Sequence, residues 1–202
     1  MKLPVLLAVS AVALLSSASA EPETAGFVAY GESSEFHRLS PDVNPEAGSF
    51  AGKAFKGFEA GETYLTRYFA AFAYASGGAY GVAGNYNQLS EAKAAALAGC
   101  DARRAKADPG CKVIGIRLPT GYAETDQLTL SAAALAGYQN YLKQPGPKAF
   151  VVGSRENWAA QYNAKSVSEA RAKAMANCTW EWGQPGGKAY GGKPCVVIAE
   201  EK

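Results

Sequence analysis

SEAKAAALAGC at residues 90–100 returns as SEARAKAMANC at residues 168–178. Setting Cys100 on Cys178 fixes the offset between the copies (178 − 100 = 78), and Ala71, Tyr80 and Asn85 then fall on Ala149, Trp158 and Asn163. Each copy runs on to a second cysteine that opens an apolar stretch, CKVIGIRL from Cys111 and CVVIA from Cys195. Upstream, FAAFAYA (69–75) and YGVAGNY (80–86) flank Ser76-Gly77-Gly78, while AFVVG (149–153) and WAAQY (158–162) flank a second turn. Strand, turn, strand, helix, strand is the pattern these segments predict. The expected fold class is α+β, with two tandem pseudo-symmetric ββαβ units at 69–120 and 148–202.

Outside the repeats the signals weaken. Ser90 and Ser168 read as helix N-caps, with Glu91 and Glu169 in first turns where the helix dipole favours an acid. Between the copies, residues 121–147 hold a linking helix over 131–142, with Leu135, Tyr138 and Leu142 on one stripe and Gln144-Pro145-Gly146-Pro147 as its breaker. Residues 21–68, rich in Glu, Gly, Ser and Pro with isolated aromatics, read as an irregular N-terminal lead-in. Fusing the two sheets into one body would bury edges that otherwise invite aggregation.

Residues 1–20 have the layout of a secretory signal peptide: Lys2, an apolar run from Val5 to Leu15, then Ala18-Ser19-Ala20. The run is broken at Ser10 and stops at Ser16, short of the roughly 18 apolar residues a membrane span needs. A periplasmic or secreted protein is expected, with no transmembrane segment after signal removal.

In an oxidising compartment four cysteines allow three pairings. Two copies that each close their own bridge select Cys100 with Cys111 and Cys178 with Cys195. A four-cysteine zinc site favours C-x2-C knuckles, which are absent, so no metal is expected. Lys and Arg (20) nearly balance Asp and Glu (18) and are scattered, which argues against a nucleic-acid partner.

No segment announces catalysis. Ser90 and Lys93 match S-x-x-K, but the second copy puts Arg171 in place of the lysine, and arginine stays protonated. The single histidine, His37, has no recognisable nucleophile beside it in sequence. Glycines near 77–84 lack G-x-G-x-x-G spacing, and Gly186-Gly187-Lys188 lacks the rest of a P-loop. The acid pairs Glu59/Glu62 and Glu124/Asp126 are too common to count without a cleft. Aromatics remain: Tyr80, Tyr86, Trp158, Tyr162, Trp180, Trp182 and Tyr190 could line a binding face, but Tyr80 and Trp158 read as core aromatics of equivalent strands, whereas Trp180, Trp182 and Tyr190 occupy the segment unique to the second copy and form the candidate binding site.

The strand, turn, aromatic-Gly strand, the S-x-A helix ending in cysteine, the C-x-V-x strand and the stretch QLTLSAAALAGYQNYLKQPGPKAF together resemble a group of exported bacterial proteins. That group is common in alphaproteobacteria and is built from a small two-cysteine domain of unknown function. The resemblance covers roughly residues 69–199 and implies the label aminolevulic acid synthase. That reaction needs pyridoxal phosphate on a Schiff-base lysine, an acid at the pyridinium nitrogen and a phosphate cradle. None is recognisable here, and heme precursor synthesis is cytoplasmic. The expected function is a non-catalytic, disulfide-stapled binding protein of the cell envelope without cofactor. Its expected partner is an envelope protein, cell-wall material or a small ligand. A pyridoxal phosphate enzyme and a secreted hydrolase inhibitor are the alternatives.

Overall fold

The computed structural model describes residues 26–31, 33–62, 66–125, 127–153, 155, 157–180 and 195–202, with the backbone alone of Thr179 and Trp180. The chain is α+β. A four-stranded antiparallel sheet has the order β2 (Ser34–Arg38), β5 (Lys112–Pro119), β3 (Phe69–Tyr74), β4 (Tyr80–Tyr86). A three-stranded sheet has the order β8 (Trp158–Gln161), β7 (Lys148–Val152), β9 (Val196–Glu201). A short parallel ribbon joins β1 (Phe27–Ala29) to β6 (Leu128–Leu130). Helices α1 (Phe50–Ala60), α2 (Leu89–Asp101), α3 (Ala132–Leu142) and α4 (Val167–Trp180) cover the sheets.

β3 and β7 are buried along almost their whole length because both faces of each central strand are covered. On one face of β3, Ala71 and Ala73 meet α2 through Ala92, Ala95 and Ala96. Small residues on both sides let helix and sheet approach closely. A Cβ on Gly81 would run into the carbonyl oxygen of Ala96, so this position on β4 requires glycine. The opposite face carries the large rings: Phe72 packs with Phe55 and Phe58 of α1 and with Ile114.

The second sheet divides its faces in the same way. Ala149 and Val151 pack on Ala170 and Ala174 of α4, and Phe150 and Val152 pack on Tyr138 and Tyr141 of α3. Phe72 stacks on Tyr80 with centroids 5.6 Å apart, and at the repeat offset Phe150 stacks on Trp158 at 5.3 Å. The ladder irregularity between Phe72 and Ala73 recurs between Phe150 and Val151. Asn85 and Asn163 both hold the left-handed conformation, which asparagine tolerates better than most residues. Tyr80 and Trp158 are thus core aromatics.

Two disulfides, Cys100–Cys111 and Cys178–Cys195, tie α2 to the start of β5 and α4 to the start of β9. Their Cα atoms are 6.1 and 6.3 Å apart. Among the described residues no helix is long and apolar enough to cross a membrane.

Three local expectations are corrected. Residues 21–68 are not simply an irregular lead-in, because β2 completes the first sheet and α1 roofs its aromatic face. Their sequence pattern is weak: β2 is SEFHR, an edge strand with one large apolar residue, and α1 carries three phenylalanines on a glycine-containing background. The helix at 131–142 does more than link the copies, since α3 stands to Phe150 as α1 stands to Phe72. The two larger sheets remain separate, joined where Tyr86 bridges Arg155.

Candidate functional site

The loop between β4 and α2 is where the parts of the molecule meet. Asn87, 1% exposed, donates through Nδ2 to the carbonyls of Gly153 (2.5 Å) and Arg155 (2.7 Å), the segment leaving β7. Its own carbonyl accepts from the Thr129 hydroxyl on β6. One side chain and its peptide therefore tie the first sheet to the second and to the ribbon. The Arg155 guanidinium lies 5.5 Å from the centroid of the Tyr86 ring. Burial holds the Tyr86 phenol above its ordinary pKa, against the lowering charge of Arg155 and with a smaller raising contribution from Glu91.

Beside this junction lies a cleft of about 370 Å³. It is lined by Phe69 and Asn87, by the head of α2 (Gln88, Leu89, Ser90, Lys93), and by Tyr122, Glu124, Thr125, Gln127 and Thr129. Phe69 and Tyr122 meet edge to face at 5.0 Å and, with Leu89, form the apolar part of the lining. The volume is toward the lower end of the range usual for small-molecule sites.

The two copies differ at this helix start. In α4, Ser166 is the capping residue, not Ser168: its Oγ accepts from the Glu169 N–H at 3.1 Å, and Glu169 Oε2 accepts from the Lys165 N–H at 2.8 Å. That is a variant of the capping box, with the carboxylate reaching back to the N–H of the residue before the cap. In α2 the cap position is Gln88, not Ser90, and it makes no side-chain cap hydrogen bond. Ser90 lies within the first turn and is exposed. The serine matching the S-x-x-K pattern thus lines the cleft from the first turn of α2, with Lys93 one turn on and also on the cleft. Glu91 occupies the same turn but is buried and absent from the lining, its charge felt at Tyr86. Asn87 Oδ1 is buried and has no hydrogen-bond partner among the described residues.

The sequence reading places the site elsewhere. Trp182 and Tyr190 lie outside the described residues, and Trp180 closes α4 with only its backbone described. His37 is exposed on β2 opposite Ile116, away from the cleft. Tyr86 is buried, and Tyr162 lies 6.4 Å from Tyr141 against the α3 side of the second sheet. Of the residues weighed from sequence, the cleft gathers Ser90, Lys93 and Glu124. Nothing in the sequence singles out Asn87, because a buried asparagine at a strand-to-helix junction has no distinctive pattern.

Pyridoxal phosphate does not fit these residues. The buried lysine, Lys148, is committed through Nζ to the carbonyls of Tyr141, Leu142 and Gln144 and to Glu201. The acid that lines the cleft with Lys93 among the described residues is the solvent-exposed Glu124, not a buried carboxylate set to hold a ring nitrogen. Comparison with protein-family models, with curated proteins and with solved structures finds no match in any of the three.

Proposed function

We propose that this chain is an exported, non-catalytic binding protein of the bacterial cell envelope, made of two related, disulfide-stapled ββαβ units and carrying a small-ligand cleft. The observation that carries the reading is the cleft beside Asn87. Two of its lining residues are pinned in advance, Asn87 by donating to the Gly153 and Arg155 carbonyls and Thr129 by donating to the Asn87 carbonyl. A site already ordered loses little conformational freedom when it binds, so modest contacts suffice for specificity. The two disulfides support a compartment that is oxidising.

The test is native mass spectrometry of untagged protein taken from its own exported fraction, followed by denatured mass with and without reductant. The expected result is two bridges and a small adduct that is lost intact on denaturation. A near-ultraviolet chromophore bleached by borohydride, or turnover of the adduct, overturns the non-catalytic reading. Recovery solely from the cytoplasm, with reduced cysteines, overturns the location.

A further inference from the structure

Resting on the reading of the cleft as a binding site, we infer that its ligand is a neutral sugar ring held through its hydroxyls. Gln88, Ser90, Lys93, Glu124 and Gln127 all line the space, and among the described residues none of the five side chains is engaged in a hydrogen bond or an ion pair. The set is mixed in kind. Lys93 only donates, Glu124 only accepts, and the two amides and the Ser90 hydroxyl do both. A simple anion would use the donors alone and bring its charge beside Glu124; a simple cation would use the acceptors alone and meet Lys93. An apolar guest would use none of them, and a polar group covered without a partner costs about 1–3 kcal/mol. A hydroxyl donates and accepts at once, so several of them on one ring serve the whole set with no net charge to place.

The second copy serves as an internal control. At the repeat offset (166 − 88 = 78), Gln88 and Lys93 fall on Ser166 and Arg171. There the Ser166 hydroxyl accepts from the Glu169 N–H, and Arg171 Nε donates to Glu200 at 2.8 Å. The same two positions are engaged within the chain in one copy and unengaged beside the cleft in the other.

The apolar share of the lining completes the match. It comes from Leu89 and from the Phe69 and Tyr122 rings, and Tyr122 is held edge to face by Phe69 at 5.0 Å and by Tyr30 at 5.6 Å. A sugar ring has the same duality, with hydroxyls around its rim and a C–H face that packs on an aromatic ring. The cleft, about 370 Å³, accommodates one six-membered ring with its hydroxyls. Ser90, Glu124 and Gln127 are solvent-exposed, which leaves room for a ring that ends a longer glycan.

Titration calorimetry on the full exported chain tests this with D-glucose, D-galactose, D-mannose and N-acetyl-D-glucosamine and their methyl glycosides. The comparison probes are cyclohexanol, which keeps the ring and a single hydroxyl, and L-alanyl-L-alanine, a zwitterion. At least one sugar is expected to bind in the millimolar range or tighter, and cyclohexanol about tenfold more weakly. Gln88→Ala and Gln127→Ala are each expected to weaken the sugar several-fold at an unchanged melting temperature, and Arg171→Ala, on the other helix, to leave it unchanged. Undiminished binding in both amide variants overturns the placement in the cleft. Cyclohexanol binding as well as the sugars overturns the role of the hydroxyls, and dipeptide binding in preference to them overturns the neutral class. Binding of a free sugar but neither of its methyl glycosides assigns a monosaccharide, and retained binding of a glycoside assigns a glycan end; both uphold the sugar ring. If no sugar binds while the native protein carries another adduct, the sugar is overturned and the broader binding reading survives; if there is no adduct either, both are overturned.

Discussion

Arg117 and Lys148 do the same work from opposite sides of a ladder. Arg117 on β5 faces Ala70 of β3, and its guanidinium donates to the carbonyls of Phe58 (3.0 Å) and Glu59 (2.8 Å) at the end of α1. Lys148, the counterpart of Ala70 at the repeat offset, faces Glu201 of β9, and its ammonium donates to the carbonyls of Tyr141, Leu142 and Gln144 at the end of α3. Around each sheet one buried cation satisfies the last carbonyls of the helix over the aromatic face, but β5 supplies it in one and β7 in the other. Such carbonyls have no partner within their own helix, and the helix dipole favours a cation there.

Removing either cation is therefore expected to loosen the helix that it holds. Arg117→Ala and Lys148→Ala each leave buried acceptors unpaired, a loss of about 2–4 kcal/mol. Arg117→Ala has the further effect of releasing Ser34, whose Oγ and carbonyl both accept from the guanidinium. Urea denaturation checks both, and a loss below about 0.5 kcal/mol, the range of ordinary surface changes, would contradict the assignment.

The glycine at 81 and the alanine at 159 occupy equivalent positions on β4 and β8. Gly81→Ala forces a methyl group into the α2 backbone and is expected to cost about 1–3 kcal/mol through overpacking. Ala159→Gly is expected to cost less than that, because it removes a methyl group instead of inserting one. Melting curves of the two variants, compared side by side, test the difference in helix approach.

Each disulfide is expected to contribute about 3 kcal/mol by the loop-entropy relation, from sequence separations of 11 and 17 residues. Replacing the Cys100 and Cys111 pair by serines, and separately the Cys178 and Cys195 pair, should lower stability by similar amounts. Chemical denaturation of each double variant provides the measurement. A negligible loss from either pair would show that its helix and strand are already held by packing.

The cap at Ser166 gives a smaller, local expectation. Ser166→Ala is expected to destabilise the protein by about 1 kcal/mol and to raise amide exchange in the first turn of α4. Hydrogen exchange localises the effect, which should not spread to α2.

Acid titration probes the exposed acids of the second unit. The Lys173 side chain, then the Lys165 N–H, holds the Glu169 carboxyl below its usual range, and the hydrogen bond from Arg171 does the same for Glu200. A depressed folded pKa means a contribution present above the ordinary glutamate value and lost as pH falls through the lower, folded value. Stability is therefore expected to decline on that acid limb, and Glu169→Gln to flatten it. Solvent exposure keeps the effect small. An unchanged pH profile in Glu169→Gln would remove Glu169 from the explanation.

The sequence by itself determined the class of fold, the order of strands and helices in the two copies, and the cysteine pairs, because these rest on periodicity and on an offset that repeats. It did not reveal α1, whose Phe55 and Phe58 acquire meaning once Phe72 is seen packed against both. Nor did it separate a capping serine from a first-turn serine, since Ser166 and Ser168 are equally good candidates on paper. The cleft was the least legible of all. It is made of residues 69, 87–90, 93, 122, 124, 125, 127 and 129, which are ordinary where they stand in the chain. Only tertiary contact decided that Asn87 would spend its amide on Gly153 and Arg155, leaving its own side-chain oxygen buried without a partner among the described residues. Local pattern follows from the chemistry of neighbours in sequence, whereas an unmet hydrogen bond exists only after every other partner has been placed.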